Sequence, residues 1–183
     1  MISKLIALLL FVLLSPIFLL ISLIIYIDDG FPILFKQKRI GENNSKFFIY
    51  KFRTMFNDLA DIPTHLLKDP HNHYINTGLF LRKLSLDEIP QLINIIKGEM
   101  VFVGPRPALY NQSDLIKLRT IASVHNLIPG ITGWAQVNGR DNLSISQKVK
   151  YDIFYLKNKS LFLDLKILLL TLLKVFGKND VLH

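Results

Sequence analysis

Asp87 and Glu88 are adjacent carboxylates, and basic residues stand on both sides of them in the sequence. Arg82 and Lys83 precede the pair, and Arg106 follows it within the sequence GPRP. Adjacent acids at a helix start are common, and taken alone this pair would be explained by compensation of the helix dipole. Beside cations and a rigid loop, however, two carboxylates can hold a hard divalent cation while the cations neutralise phosphate oxygens. The pattern therefore predicts phosphoryl chemistry on a nucleotide.

The stretch that carries the pair, residues 78–100, predicts a helix with the carboxylates near its start. Ser85, with Glu88 three residues later, has the spacing of a capping box. Gly98 is expected to end this helix.

Residues 31–56 predict two short β-strands around the turn-like sequence GENNS. In the second strand, alternation would place Lys51 and Arg53 on one face. Two interpretations are open at this point: solvated charges at a sheet edge, or a pair of cations directed at phosphates.

The N-terminal run from Leu5 to Ile27 carries no charge and has the length of about 20 residues that crosses the hydrocarbon of a bilayer. A secretory signal fits less well, because its apolar region is shorter and ends at a small-residue cleavage site. Ser15 and Pro16 in the middle of the run predict a kink, which is compatible with a straight span or with a re-entrant helix. Lys4 and the basic residues after the run leave no clear charge asymmetry, which suits both ends on the cytoplasmic side.

The chain has 183 residues, which suits one modest domain, and a formal charge of +8. That charge is compatible with nucleic acid, an anionic membrane surface, phosphorylated substrates or an ordinary solvated surface. Basic residues near the apolar run favour anionic headgroups, with about 1 kcal/mol from each. They are Lys36, Lys38, Arg39, Lys46, Lys51 and Arg53. The chain has no cysteine, which excludes disulfides and thiolate zinc sites.

Two further helices are expected near the C-terminus, at residues 148–157 and 161–176. In the second, Asp164, Thr171 and Lys174 share one face of an otherwise mostly apolar helix. This pattern fits a helix lying in a membrane interface, and packing inside the domain is the alternative.

Several motifs occur in an order that resembles the bacterial monotopic phosphoglycosyl transferases, and the resemblance covers nearly the whole chain. These are Ser15-Pro16 in an apolar N-terminus, YKFRTM (50–55), LRKLSLDEIPQLINIIKGEM (81–100), VGPRP (103–107) and PGITGWAQVNGR (129–140). The resemblance implies a mainly helical α+β chain. Residues 1–27 would form a re-entrant membrane helix with a break, and residues 28–183 a catalytic domain with short strands and a C-terminal amphipathic interface helix.

The resemblance also implies an activity at the cytoplasmic face of the bacterial inner membrane. Asp87 would attack the sugar-bearing phosphate of a UDP-sugar, release UMP and form an aspartyl phosphosugar, which undecaprenyl phosphate then accepts. Mg²⁺ would bind at Asp87 and Glu88, with Glu88 orienting the metal or acting as an acid or base. The sugar is expected to be an N-acetylated amino sugar, and the reaction would be the first membrane step of glycoconjugate synthesis. The sequence indicates no oligomeric state.

Other site residues follow from the matching motifs. Pro105, Arg106 and Pro107 resemble the nucleotide-side element, Arg82 and Arg140 phosphate contacts, and Lys51 and Arg53 are further candidates. The break of the membrane helix would lie at Ser15 and Pro16.

Two rival functions are a polytopic glycosyltransferase that releases UDP and a non-enzymatic basic adaptor for membranes or nucleic acids. The single long apolar run argues against the first. The acidic pair and the lack of a nucleic-acid-binding motif argue against the second.

Overall fold

The computed structural model describes residues 2–56, 70–139 and 142–176. These ranges are mainly helical, with two small two-stranded sheets, which confirms the mainly helical α+β prediction. The helices are α1 (Ile2–Leu13), α2 (Ser15–Asp29), α3 (Gly78–Lys83), α4 (Gln91–Lys97), α5 (Ser113–Ile121), α6 (Trp134–Val137), α7 (Ile145–Asn158) and α8 (Leu161–Phe176). The strands are β1 (Leu34–Ile40), β2 (Lys46–Phe52), β3 (Val101–Val103) and β4 (Gly130–Thr132).

The apolar N-terminus is bent by 60° between α1 and α2, which confirms the predicted kink at Ser15 and Pro16. Pro16 has no amide hydrogen to donate to the carbonyl of Val12. The hydroxyl of Ser15 donates to that carbonyl instead, at 2.7 Å. Within the described ranges no single helix is long and apolar enough to cross a membrane, whereas the bent pair together meets the length and hydropathy criteria.

One side of the bent pair packs on the rest of the chain. Ala7 of α1 is fully buried in a cluster that includes Ile95 of α4. Ile25 of α2 is fully buried in a second cluster with Phe52 at the end of β2 and Leu81 of α3. The helix pair is therefore fixed to the strand and the two helices that border residues 87 and 88.

The predicted β-hairpin is confirmed, with β1 and β2 antiparallel from the pair Leu34–Phe52 to the pair Ile40–Lys46. Asn94 of α4 covers the other edge of β2. Its side-chain oxygen accepts from the amide of Tyr50 at 3.1 Å, and its nitrogen donates to the carbonyl of Phe48 at 2.7 Å. The side-chain amide thus takes the place of a third strand.

The prediction of a continuous helix that begins at Ser85 is wrong. Ser85 lies in the left-handed region with φ of 54°, and its side chain makes no capping hydrogen bond. Leu86–Glu88 is a short 3₁₀ turn, and α4 begins only after Pro90. A proline at this position cannot donate to the carbonyl four residues back and clashes with it, so a regular α-helix cannot run through the segment. The predicted end at Gly98 is confirmed, since Gly98 caps α4 with φ of 89°.

The C-terminal helix α8 packs beside the parallel pair β3–β4, with Leu163 and Ile167 buried. Asp164 accepts a hydrogen bond from the hydroxyl of Tyr155 at 2.7 Å. The hydroxyls of Thr171 and Thr132 are 2.7 Å apart. Two members of the predicted polar face, Asp164 and Thr171, therefore bind the domain, as the packing alternative requires.

The opposite side of α8 is apolar and exposed. Its residues with more than half of their surface accessible are Leu161, Phe162, Leu165, Leu169, Leu172 and Leu173. Asp164 and Thr171 thus face the protein while the leucines face outward, the reverse of the usual amphipathic helix, although Lys166 and Lys174 are also exposed.

We expect Asn94→Ala to lower the free energy of unfolding by about 1–3 kcal/mol, because it leaves the amide of Tyr50 and the carbonyl of Phe48 without their partner in a partly buried place. Chemical denaturation in detergent micelles measures this loss. Asn158→Ala is the control, since Asn158 is exposed and bonds only the carbonyl of Phe154 among the contacts described. Equal midpoints for the two variants would contradict the assigned role of Asn94.

Candidate active site

The turn between α3 and α4 holds the two carboxylates almost out of solvent. The side chains of Asp87 and Glu88 are 7% and 13% exposed. Lys51, near the end of β2, places its Nζ 2.6 Å from Glu88 Oε1 and 3.6 Å from Asp87 Oδ2. One ammonium group thus faces both carboxylates.

Arg106 approaches the pair from the GPRP loop, and its Nη1 lies 3.6 Å from Glu88 Oε1. The loop packs backbone to backbone against the segment that contains β4. A Cβ atom on Gly130 would lie 2.1 Å from the amide nitrogen of Gly104, and one on Gly133 would lie 2.1 Å from its carbonyl oxygen. The glycines of the two motifs are therefore needed for this close approach, which brings Arg106 to Glu88.

The environment of Asp87 shifts its pKa above the usual aspartate range. Burial is the main cause, and the negative charge of Glu88 adds to it. Lys51 is the largest opposing influence, and Arg82 and Arg106 also act to lower the pKa. The ionised form of Asp87 thus depends on the cations around it.

Arg82 lies within electrostatic range of Asp87, and its guanidinium is oriented by neighbours at the end of the hairpin. Its Nε donates to the hydroxyl of Thr54 at 3.0 Å, and its Nη1 to the hydroxyl of Tyr74 at 2.9 Å. The guanidinium also lies over the Tyr74 ring, 5.0 Å from the centroid. Arg82 therefore contributes positive potential from a fixed position.

Arg53 does not join Lys51 at the carboxylates. It is 2% exposed, pairs with Asp29 at 2.7 Å, and donates to the carbonyls of Asp29 and Gly30 at the end of α2. Since β2 ends at Phe52, strand alternation no longer determines where Arg53 points. This buried contact matches neither a solvated charge at a sheet edge nor a cation directed at phosphates. Arg140 lies outside the described residues.

The donor set of the acidic pair fits Mg²⁺, which proteins usually hold with one or two carboxylates while substrate phosphates and water complete the octahedron. Among the residues that the structure describes, no group of three or more His, Asp or Glu side chains could hold a metal alone. Asp87 and Glu88 therefore suit an ion that shares its ligands with a phosphorylated substrate.

Sequence reasoning did not single out Gln91, although it belongs to the same motif as the carboxylates. Gln91 begins α4 and is 1% exposed. In the described part of the chain its side-chain nitrogen has no hydrogen-bond partner. The only sign of this buried side chain in the sequence is a polar residue three positions after Glu88, at the start of a mostly apolar helix.

All of these residues lie within residues 1–178, which match the family described as bacterial sugar transferase. The chain belongs to this family. The recognition made from the ordered motifs is thereby confirmed, and with it the expectation of an enzyme of the phosphoglycosyl transferase type.

Three relatives illustrate the range of the family. An uncharacterised sugar transferase of Bacillus subtilis, EpsL, is 44% identical over 91% of this chain and 81% of its own length. The exopolysaccharide production protein ExoY of Rhizobium meliloti is 37% identical over 91% of this chain and 79% of its own. The UDP-glucose:undecaprenyl-phosphate glucose-1-phosphate transferase of Escherichia coli is 36% identical over 93% of this chain but only 38% of its own length. The chain thus spans most of the short relatives and little over a third of this long one.

We expect Lys51→Met to lower transferase activity about 10- to 100-fold, because it removes a charged hydrogen bond at the carboxylates. It should also move the acidic limb of the pH–activity profile to higher pH. Lys51 lowers the pKa of Asp87, so its removal raises that pKa further, and a higher pH is then needed to ionise the group. Profiles of kcat/KM measure both effects. Lys51→Arg, which keeps the charge, is the control, and an unshifted limb in Lys51→Met would disprove the coupling.

Proposed function

We propose that this enzyme transfers a sugar 1-phosphate from a UDP-sugar to undecaprenyl phosphate, with release of UMP. The observation that carries the proposal is the nearly buried pair Asp87–Glu88 facing Lys51 and Arg106. Names of relatives support the substrate classes. Those of Xanthomonas campestris and Escherichia coli are named for transfer of glucose 1-phosphate from UDP-glucose to undecaprenyl phosphate.

In the first half-reaction, a carboxylate oxygen of Asp87 attacks the phosphorus that carries the sugar. The bond between that phosphorus and the bridging oxygen breaks, and UMP leaves with the electron pair. In the second, the phosphate of undecaprenyl phosphate attacks the same phosphorus, forms the lipid diphosphate sugar and returns the carboxylate of Asp87. Covalent catalysis of this kind divides one transfer into two displacements at one site.

Lys51 and Arg106 supply positive charge where the diphosphate must approach two carboxylates. Glu88 contacts both cations, so it holds them beside Asp87 without itself attacking. Asp87 and Glu88 would also hold Mg²⁺, which supplies charge neutralisation for the diphosphate oxygens. Arg82 adds positive potential at Asp87, and the loop that bears Arg106 would face the nucleotide.

The sugar is proposed to be an N-acetylated amino sugar. An Aeromonas hydrophila relative, 35% identical to this chain, is named for transfer of N-acetylgalactosamine phosphate, whereas other relatives are named for glucose. A screen of UDP-sugars with undecaprenyl phosphate, scored separately for UMP and UDP, tests the donor. Release of UDP would instead favour a glycosyltransferase that leaves the phosphate behind.

We propose that the enzyme lies on the cytoplasmic face of the bacterial inner membrane, anchored by the bent pair α1–α2 and by the outer side of α8. Both surfaces consist of exposed aliphatic and aromatic side chains, with more than half of Leu9, Leu13 and Leu19 accessible in the pair. Large exposed apolar patches occur where a protein contacts a membrane or another protein, and the combined length and hydropathy of the pair support the membrane. Lys97 bonds the hydroxyl of Tyr50 near this surface, a combination suited to the headgroup region.

We expect Asp87→Asn to reduce turnover by several orders of magnitude, because an amide oxygen is a poor nucleophile and a weak ligand for a cation. Incubation of the wild type with UDP-sugar alone should give a phosphosugar adduct on Asp87 by mass spectrometry. Asp114→Asn, an exposed acid in α5, is the control. An adduct on another residue, or near-normal turnover in Asp87→Asn, would refute the assignment.

If the bent pair enters and leaves the same leaflet, residue 2 faces the cytoplasm. Since the chain has no cysteine, Ile2→Cys gives a single reporter, and an impermeant thiol reagent should label it only after the inner membrane is opened. Asn158→Cys, in the catalytic domain, is the reference for an inside position.

In Pro16→Leu the break is removed, so a fraction of chains should span the bilayer and expose position 2 outside. Labelling of Ile2→Cys in intact cells would instead show a single span.

A further inference from the structure

The loop that carries Arg106 is held by its own carbonyl groups. Each carbonyl of residues 105–108 accepts a hydrogen bond from outside the loop. The donors are the amide of Gly130 to Pro105 (3.0 Å), Nη1 of Arg119 to Arg106 (2.8 Å), Nη1 of Arg39 to Pro107 (3.1 Å) and the amide of Ile40 to Ala108 (2.9 Å). Two of the four donors are side chains, so these positions are fixed by particular residues rather than by sheet pairing.

Arg119 is the donor that acts on the residue bearing the functional guanidinium. It lies on α5 and is 9% exposed. Its Nε and Nη2 donate to Oδ2 of Asp152 at 2.9 and 2.7 Å. Asp152 lies on α7 and is 1% exposed. The rigid guanidinium fork is therefore oriented by Asp152, and its remaining terminal nitrogen reaches the carbonyl of Arg106.

Stability alone is a poor explanation for this pair. Removing two charges from water is costly, and well-packed apolar residues of similar volume are often as stable as a buried ion pair. What apolar residues could not supply is a directed donor at the backbone of Arg106. The side chain of Arg106 in turn lies 3.6 Å from Glu88.

We propose that Arg119 and Asp152 are positioning residues, which fix the backbone of Arg106 and thereby the place of its guanidinium beside Glu88. Neither touches the carboxylates in the contacts described; both act through Arg106. The consequence for catalysis rests on the proposed function, in which Arg106 neutralises the diphosphate. The consequence for the loop does not.

Amide hydrogen exchange of the whole enzyme tests the loop directly. Asp152→Asn and Arg119→Lys should each increase exchange in residues 103–109, because an amide holds the fork less firmly and lysine has no fork. Asp114→Asn is the matched control: the same kind of change at an exposed carboxylate on α5, the helix that carries Arg119. Unchanged exchange in both loop variants would overturn the proposal whatever reaction the enzyme catalyses.

A double-mutant cycle tests the effect on catalysis and separates positioning from general destabilisation. Asp152→Asn should lower kcat of the complete reaction and the rate constant of its UMP-releasing half-reaction about 10- to 100-fold. The KM for the lipid in the complete reaction should stay close to that of the wild type. In an Arg106→Ala background the same change should have almost no further effect on kcat, whereas any loss of thermal stability should persist. Arg119→Lys should behave alike, so a folding failure of one variant leaves the other to decide. Multiplicative losses of kcat would show that the pair does not act through Arg106.

The proposed function and the positioning role of the pair are tested by different measurements, so either can fail without the other. If the wild type releases no UMP from any UDP-sugar but the loop variants loosen residues 103–109, the proposed function is wrong and the positioning of Arg106 stands. If UMP is released and the loop variants alter neither exchange nor kcat, the positioning role is wrong and the proposed function stands.

Discussion

Two adjacent carboxylates held nearly out of water constrain the rest of this structure. Burial and mutual repulsion both oppose the ionised form of Asp87, so cations must stand close by in fixed positions. Lys51 comes from β2, Arg82 from α3 and Arg106 from a loop between β3 and α5. Because these residues are far apart along the chain, the site exists only when the elements that carry them are packed together.

The turn that presents the carboxylates depends on a break in the helix. With Pro90 two residues after Glu88, the chain forms a 3₁₀ turn and then begins α4. Helix α4 is in turn attached to the hairpin by Asn94, which bonds the backbone on both sides of Ile49 in β2. These bonds therefore fix the position of the strand that supplies Lys51 relative to the helix that follows the carboxylates.

The bent helix pair is attached to the same elements. Asp28, at the end of α2, accepts hydrogen bonds from the amide and hydroxyl of Thr77 just before α3. Burial alone would raise the pKa of Asp28, but these bonds and those from Asn76 outweigh it, and the pKa is lowered. Arg53, two residues after Lys51, binds the last carbonyls of α2. With the proposed membrane location, these contacts would hold the carboxylates at a constant height above the bilayer.

The sequence was sufficient for the features that depend on local chemistry. The bend at Pro16 follows from the restricted backbone of proline, and the end of α4 at Gly98 from the permissive backbone of glycine. The hairpin follows from strand alternation around a turn-like sequence. The capping-box spacing at Ser85 was misleading, because Pro90 prevented the helix that the spacing requires. Contacts such as Arg53 with Asp29, or Arg119 with Asp152, join residues 24 and 33 positions apart and leave no periodic trace.

Helix α8 shows a different limit of prediction from sequence. Polar residues sharing a helix face usually point to water, because water is usually the only phase outside the protein. In α8 the carboxylate of Asp164 and the hydroxyl of Thr171 find partners on the domain, and the leucines face outward. That arrangement is unfavourable in water but favourable if the outer phase is hydrocarbon, where an unpaired hydroxyl or carboxylate is more costly than an exposed leucine. The spacing of the polar residues determines which side chains share a face of the helix. Whether that face points toward the domain or away from it depends on the solvent outside.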